Sequence, residues 1–316
     1  MRNLGLPAGP RHILAQAMGG IRVVLFAILT IILSPDLTRA ATTSITTGSD
    51  WQTGTLDGVE STSTEGELKL DPSGSWGAQS WKTPDKTIGI GSAFTSDGGK
   101  IYVFRGYGDV AFWRYTPTTD SWETLPNAPR GVYYGSEMQY HDGYIYALFG
   151  GYQKAFARFS IAGNAWEMMP DFPSFVWQGG ALTSDGTYLY GIPGNTTQEF
   201  YRFNFGTNSW TSLTQAPNTL RSGADLTYIN GYIYTPRGVA TNTFYRYSIS
   251  ENSWSVMASL PTTLNDEIDN TTDGIDLYVS RQQGTNSFYR YNVASDTWDI
   301  LTNAPYTAQY AGIQYL

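Results

Sequence analysis

Five tryptophans, Trp122, Trp166, Trp210, Trp254 and Trp298, stand 44 residues apart. Phe112, Phe156, Phe200, Phe244 and Phe288 keep the same step, as do Arg114, Arg158, Arg202, Arg246 and Arg290. Pro129, Pro173, Pro217, Pro261 and Pro305 close the units, and no insertion interrupts the five. A strict period of this length means an array of one supersecondary unit, each copy burying its apolar faces on its neighbours.

Within a unit the pattern is all strand. "DGYIYALFG" (142–150) is a turn followed by strand formers, and "KAFARFSI" (154–161) alternates its two faces. "GNAWEMMP" (163–170) adds a turn and a short strand, and "GVYYGSEMQY" (131–140) another. Four short strands with Gly, Asn and Asp turns predict one blade of a β-propeller.

The apolar strand, the turn glycine, the aromatic of the third strand and the Trp of the fourth, repeated at 44 residues, resemble the Kelch repeat over about residues 87–316. The chain departs from that family at the double glycine after the second strand, where it reads Arg105-Gly106, Phe149-Gly150, Pro193-Gly194, Arg237-Gly238 and Arg281-Gln282. "TAQYAGIQYL" (307–316) is in phase with the first strand of a unit, and 58–84 holds three strand-like pieces. The expectation is therefore an all-β, six-bladed propeller of four-stranded blades. Its last blade shares N- and C-terminal strands, which removes free edges. Five blades with an N-terminal appendage is the alternative.

The first 40 residues differ from the rest. Arg2, Arg11 and Arg22 precede an 11-residue apolar run, Val23 to Leu33, and Ala40 offers a small residue for cleavage. This order predicts a signal peptide over 1–40, a short linker over 41–50 and the propeller over 51–316. The apolar run falls short of the ~20 residues a membrane span needs. Cleavage removes four arginines and one aspartate, leaving 15 basic and 26 acidic residues and a net charge of −11. That balance argues against nucleic acid as partner and against membrane insertion of the mature chain. The expected location is secreted, extracellular or periplasmic.

The repeat serves as its own control. A residue present in every unit is most simply needed by every unit, so the Trp, Phe and Arg series read as architecture, with the arginines stacked on rings and satisfying carbonyls between blades. Columns that vary in chemistry are free for function. After the second strand stand Arg105, Phe149, Pro193, Arg237 and Arg281; at the start of the first strand stand Tyr133, Trp177, Arg221, Asn265 and Gln309, then Tyr134, Gln178, Ser222, Asp266 and Tyr310. Alternating strand direction puts both sets at one mouth of the central channel. Arg105, Tyr133, Trp177, Arg221, Arg237, Asp266 and Arg281 are the candidate ligand-binding residues. Cations beside aromatic rings suit an acidic sugar.

Glu267 replaces a glycine that other units keep (Gly91, Gly135, Gly179, Gly223), and Glu137, Asp225 and Asp269 share another column. A buried carboxylate beside Arg221 suits a general base or a cation ligand. Glu267 and Arg221 are the catalytic candidates if there is catalysis.

There is no cysteine, and His141 is the only histidine after the leader. That argues against thiol chemistry, the cysteine–tyrosine cofactor of Kelch-type copper oxidases and a Ser-His-Asp triad. No cofactor and no metal are expected. The leading expectation is a non-catalytic propeller binding a glycan or protein through one face. The alternatives are a carbohydrate isomerase resembling the periplasmic sialic-acid mutarotases, and a structural surface or adhesion component.

Overall fold

Each described 44-residue unit folds as a four-stranded antiparallel meander, because strand-forming segments alternate with turns that reverse the chain. The first blade runs Ala93–Ser96, Ile101–Phe104, Phe112–Thr116 and Ser121–Leu125, and the fifth Ile268–Thr272, Leu277–Arg281, Phe288–Asn292 and Thr297–Leu301. Two hairpins turn through Asp142-Gly143 and Asn230-Gly231, with φ of 44°, 79°, 47° and 86°. Positive φ at both central positions matches the strands' right-handed twist. The structure, a computed structural model, describes residues 88–264, 268–281 and 287–303, with the strands Ile21–Leu25, Leu29–Ile32, Gly66–Leu70, Trp76–Ser80 and Gly312–Ile313.

The cores lie between blades. Phe104 and Phe112 of the first blade pack with Phe149 and Phe159 of the second. Leu148 and Phe156 of the second pack with Leu189 and Phe203 of the third. The fourth-strand Trp joins neighbours: Trp166, Trp210, Trp254 and Trp298 lie 5.0–5.1 Å, ring to ring, from Phe112, Phe156, Phe200 and Phe244 of the preceding blade. Trp254 Nε1–H also donates to the Thr214 carbonyl at 2.8 Å, and Trp298 Nε1–H to Ala258 at 2.9 Å.

The arginine series behaves as architecture, with one correction. Arg158, Arg202 and Arg246 lie over Tyr144, Tyr188 and Tyr232 at 4.2–4.6 Å, as ring stacking predicts. The polar partners of three of the series are not carbonyls between blades: Arg114, Arg158 and Arg290 pair with Glu123, Glu167 and Asp299 on the adjacent strand of their own blade. Those acids stand directly opposite in the antiparallel register, so the pair costs no reach.

The first strands of successive blades are neighbours and surround the axis. Before the first four of them the chain bends through Gly91, Gly135, Gly179 and Gly223, with φ of 76–81°. A Cβ on Gly135 would stand 1.8 Å from the Trp177 carbonyl oxygen, so close approach of the next blade excludes any side chain there.

The count of four-stranded blades is five, against the six expected and in line with the alternative. The remaining strands form a separate five-stranded sheet. Gly312–Ile313 pairs in parallel with Leu29–Ile32, then come Ile21–Leu25, Gly66–Leu70 and Trp76–Ser80. The C-terminal strand thus shares a sheet with the 58–84 pieces without pairing with them. "IRVVL" and "LTII", rich in β-branched residues, take the intervening places.

Candidate functional site

Two sets of backbone hydrogen bonds build one mouth of the channel. Within a blade, the start of the first strand meets the end of the second: Gly89 N–H donates to the Arg105 carbonyl at 2.9 Å, Trp177 N–H to Pro193 at 3.0 Å and Arg221 N–H to Arg237 at 3.0 Å. Between blades, the loop after the second strand clips onto the next blade: Gly108 N–H to Val132, Tyr152 N–H to Val176 and Ala240 N–H to Leu264, each at 2.8 Å. Arg105, Tyr133, Trp177, Arg221, Arg237 and Arg281 therefore all lie at this end.

Their side chains are not equivalent. Arg105 is paired with Asp109 and lies over Tyr107 at 5.7 Å, so its charge is met within its own loop. Arg281 ends its strand with its backbone N–H on the Ser287 carbonyl at 3.0 Å. Arg237 Nε–H donates to the Thr219 carbonyl at 3.3 Å. Among these mouth arginines Arg221 differs: its Nε–H is buried and has no acceptor among the described residues, a state shared away from the mouth by the Nε–H of Arg114. A buried guanidinium donor without an acceptor costs on the order of 1–3 kcal/mol, a cost that an anionic ligand removes. Trp177 and Tyr133 are exposed beside it in sequence register. Phe149, expected to face a ligand, is fully buried between the first two blades. Asp266 and Glu267 lie outside the described residues.

Below the mouth the first strands enclose a cavity of about 330 Å³. Glu137, Asp225 and Asp269 line it from the second, fourth and fifth blades, where the other described blades carry Ala93 and Ala181. No Lys, Arg or His is among the described residues of its wall. Burial pushes the Glu137 carboxyl well above the usual range, and the nearby Asp225 and Asp269 push it further. Burial raises Asp225 to about 7, although it accepts from Leu226 N–H at 2.7 Å and from Asn270 N–H of the next blade at 3.1 Å. Asn270 is 8% exposed, with neither amide atom partnered. It occupies a column otherwise held by Phe94, Met138, Leu182 and Leu226.

The three-carboxylate column was readable in the sequence, but its place on the channel wall needed the first strands to be innermost. The inter-blade clips went unread: Thr95 and Thr183 hydroxyls accept N–H groups of Tyr140 and Tyr228 at 3.1 and 3.2 Å, the role that Asp225 fills one blade further on. A threonine in a strand gives no signal of this. His141 stacks on Phe205 at 3.8 Å with rings 3° from parallel, a packing role.

Antiparallel four-stranded blades around a channel, with an acid-lined wall and a cationic mouth, define a β-propeller. No protein-family model matches the chain, and no curated protein matches it. Among solved structures, one titled "Structure of YjhT" aligns over 71% of this chain and 87% of that chain, with 12% identity and a TM-score of 0.58. At that identity the likeness shows the fold.

Proposed function

We propose that this propeller is a binding protein whose mouth takes the acidic group of a glycan. The observation that carries the reading is the buried Nε–H of Arg221, without an acceptor among the described residues, on a backbone hydrogen-bonded to Arg237, with the exposed Trp177 at the equivalent position of the preceding blade. A carboxylate accepts from Arg221 and the sugar ring packs on the indole. Calorimetric titration of glucuronate and N-acetylneuraminate tests this. Binding by the wild type and loss in Arg221→Ala support it; no binding of either acid at millimolar concentration removes it.

A second reading, a Kelch-type carbohydrate isomerase, is favoured by Asp225. A carboxyl raised to about 7 in a channel is poised to give and take protons near neutral pH. NMR measurement of anomer exchange with wild type and Asp225→Asn separates the two readings.

The leader over 1–40 and export belong to the same proposal, on the basic, apolar and small-residue order of the first 40 residues. An intact Met1 in exported protein would remove the leader reading.

A further inference from the structure

Among the described residues, nine large hydrophobic side chains are exposed, and they divide cleanly by type and place. Met168, Val256 and Ile300 are on fourth strands and Ile275 is in a turn between first and second strands. None of the four is aromatic. The five at the mouth are all aromatic: Tyr107 (55% exposed), Tyr133 (44%), Tyr152 (59%), Phe175 (44%) and Trp177 (36%).

These five form one strip across the first three blades. Gly108 N–H, next to Tyr107, bonds to Val132, next to Tyr133; Tyr152 N–H bonds to Val176, between Phe175 and Trp177. Tyr152 and Phe175 stack with centroids 4.7 Å apart and planes 5° from parallel. Phe175 and Trp177 are two residues apart, so in extended chain they project to one side roughly 7 Å from each other.

The fold does not need these rings. Tyr107 and Tyr152 have φ of 57° and 64°, in the left-handed region that bulky side chains avoid. The equivalent residues one unit along or back are Gly151 and Gly108, which take that conformation freely. Asn195 in the Tyr107 column, and Thr196 and Ala240 in the Tyr152 column, take the same left-handed φ of 53°, 58° and 65°, so the clip sets the backbone and the two rings are additions to it. The other clips use the same backbone geometry with Thr196, Thr219, Ala240 and Thr263 in the matching columns.

Bare glycine backbone seats two of the rings. A Cβ on Gly89 would fall 1.7 Å from the Tyr107 ring, and Cβ atoms on Gly108, Gly131 and Gly151 would come within 2.6–2.9 Å of Tyr133. Rings held this closely are ordered before any ligand arrives. Lys154 lies over Phe175 at 5.0 Å, donates to the Pro173 carbonyl at 2.9 Å and has no carboxylate partner among the described residues.

We propose that this strip is an extended subsite for an acidic oligosaccharide, whose next pyranose ring stacks on the Tyr152/Phe175 pair beyond the residue held at Arg221 and Trp177. Sugar C–H bonds meet the negative ring faces, and Lys154 favours a further acid along the chain. An all-aromatic strip without exposed aliphatic side chains fits a sugar better than a protein partner. The inference rests on the mouth reading for its acidic anchor.

The test compares glucuronate, a hyaluronan tetrasaccharide and neutral cellotetraose by calorimetry, on wild type, Tyr152→Gly, Phe175→Ala and Arg221→Ala. The added ring contact at Tyr152/Phe175 predicts the tetrasaccharide to bind up to roughly tenfold more tightly than glucuronate. Tyr152→Gly and Phe175→Ala should lose that gain and keep glucuronate affinity. Tyr152→Gly should melt no lower than wild type, because it relieves the left-handed backbone, which separates lost binding from lost folding. Glucuronate binding without a gain on lengthening would overturn the subsite and leave the mouth reading standing. Cellotetraose binding that needs Tyr152 and not Arg221 would support the strip and overturn the acidic anchor. Binding of none of the three would overturn both.

Discussion

Replacing Asp225 by Asn should stabilise the protein at high pH and not at low pH. The Asp225 carboxyl rises from an ordinary value near 4 to about 7 on folding. The folded state therefore holds a proton that the unfolded chain releases between about pH 4 and pH 7. By linkage this contribution to stability is full below about pH 4 and declines as pH rises to about 7. Three units at 1.36 kcal/mol each set a ceiling of about 4 kcal/mol. Glu137 shares the repulsion, and an Asn side chain keeps one acceptor for the Leu226 and Asn270 N–H groups. The expected gain is thus about 1–3 kcal/mol at pH 8, shrinking toward zero at pH 4.5. Urea unfolding of both proteins at pH 4.5, 6 and 8 measures it; titrating groups away from the channel cancel in the difference, and Glu137, relieved of the Asp225 charge, adds to the gain. A difference constant across pH would refute the buried-carboxyl reasoning, and so would a mutant less stable at pH 8.

Arg202→Ala removes a guanidinium 4.2 Å over Tyr188 and should cost about 1–3 kcal/mol, whereas Arg237→Ala should leave the melting temperature nearly unchanged; thermal melts of both decide it. Trp254→Phe loses the 2.8 Å bond to Thr214 and should cost about 1 kcal/mol more than Trp210→Phe, whose Nε1–H has no acceptor to lose; paired urea titrations give the difference. Deleting 307–316 strips Gly312–Ile313 from its sheet and should lower the melt or cause aggregation; a monomer with an unchanged melt would count against that edge being needed.

The blade was legible in the sequence because its constraints repeat. The Trp, Phe and Arg columns recur at one step: the phenylalanines are buried, a Trp of the next blade packs against Phe112, Phe156, Phe200 and Phe244, and three of the arginines lie over a Tyr of their own blade. The mouth was legible as a set of positions, since strand alternation alone places Arg221 beside Arg237. What was not legible was which side chains were already engaged. Arg105 and Arg221 look alike as arginines of the mouth, yet Asp109, four residues from Arg105, meets its charge, while no described residue meets the buried Nε–H of Arg221. Phe149 read as a ligand-facing residue because the column faces the mouth; its ring turns instead into the packing between the first two blades. The closing strands were beyond reach because pairing between distant segments leaves no period, and a leader-like run such as "IRVVL" is also a good strand.

The most direct measurement is the ¹⁵Nε–¹H signal of Arg221 during titration of the protein with glucuronate. A carboxylate that completes the buried guanidinium must move that proton resonance downfield and slow its exchange with water, while the Arg202 signal stays in place. A saturating shift confined to Arg221 and its neighbour Arg237 is the predicted result. An Arg221 signal unmoved at glucuronate concentrations that saturate binding elsewhere on the protein would contradict the account.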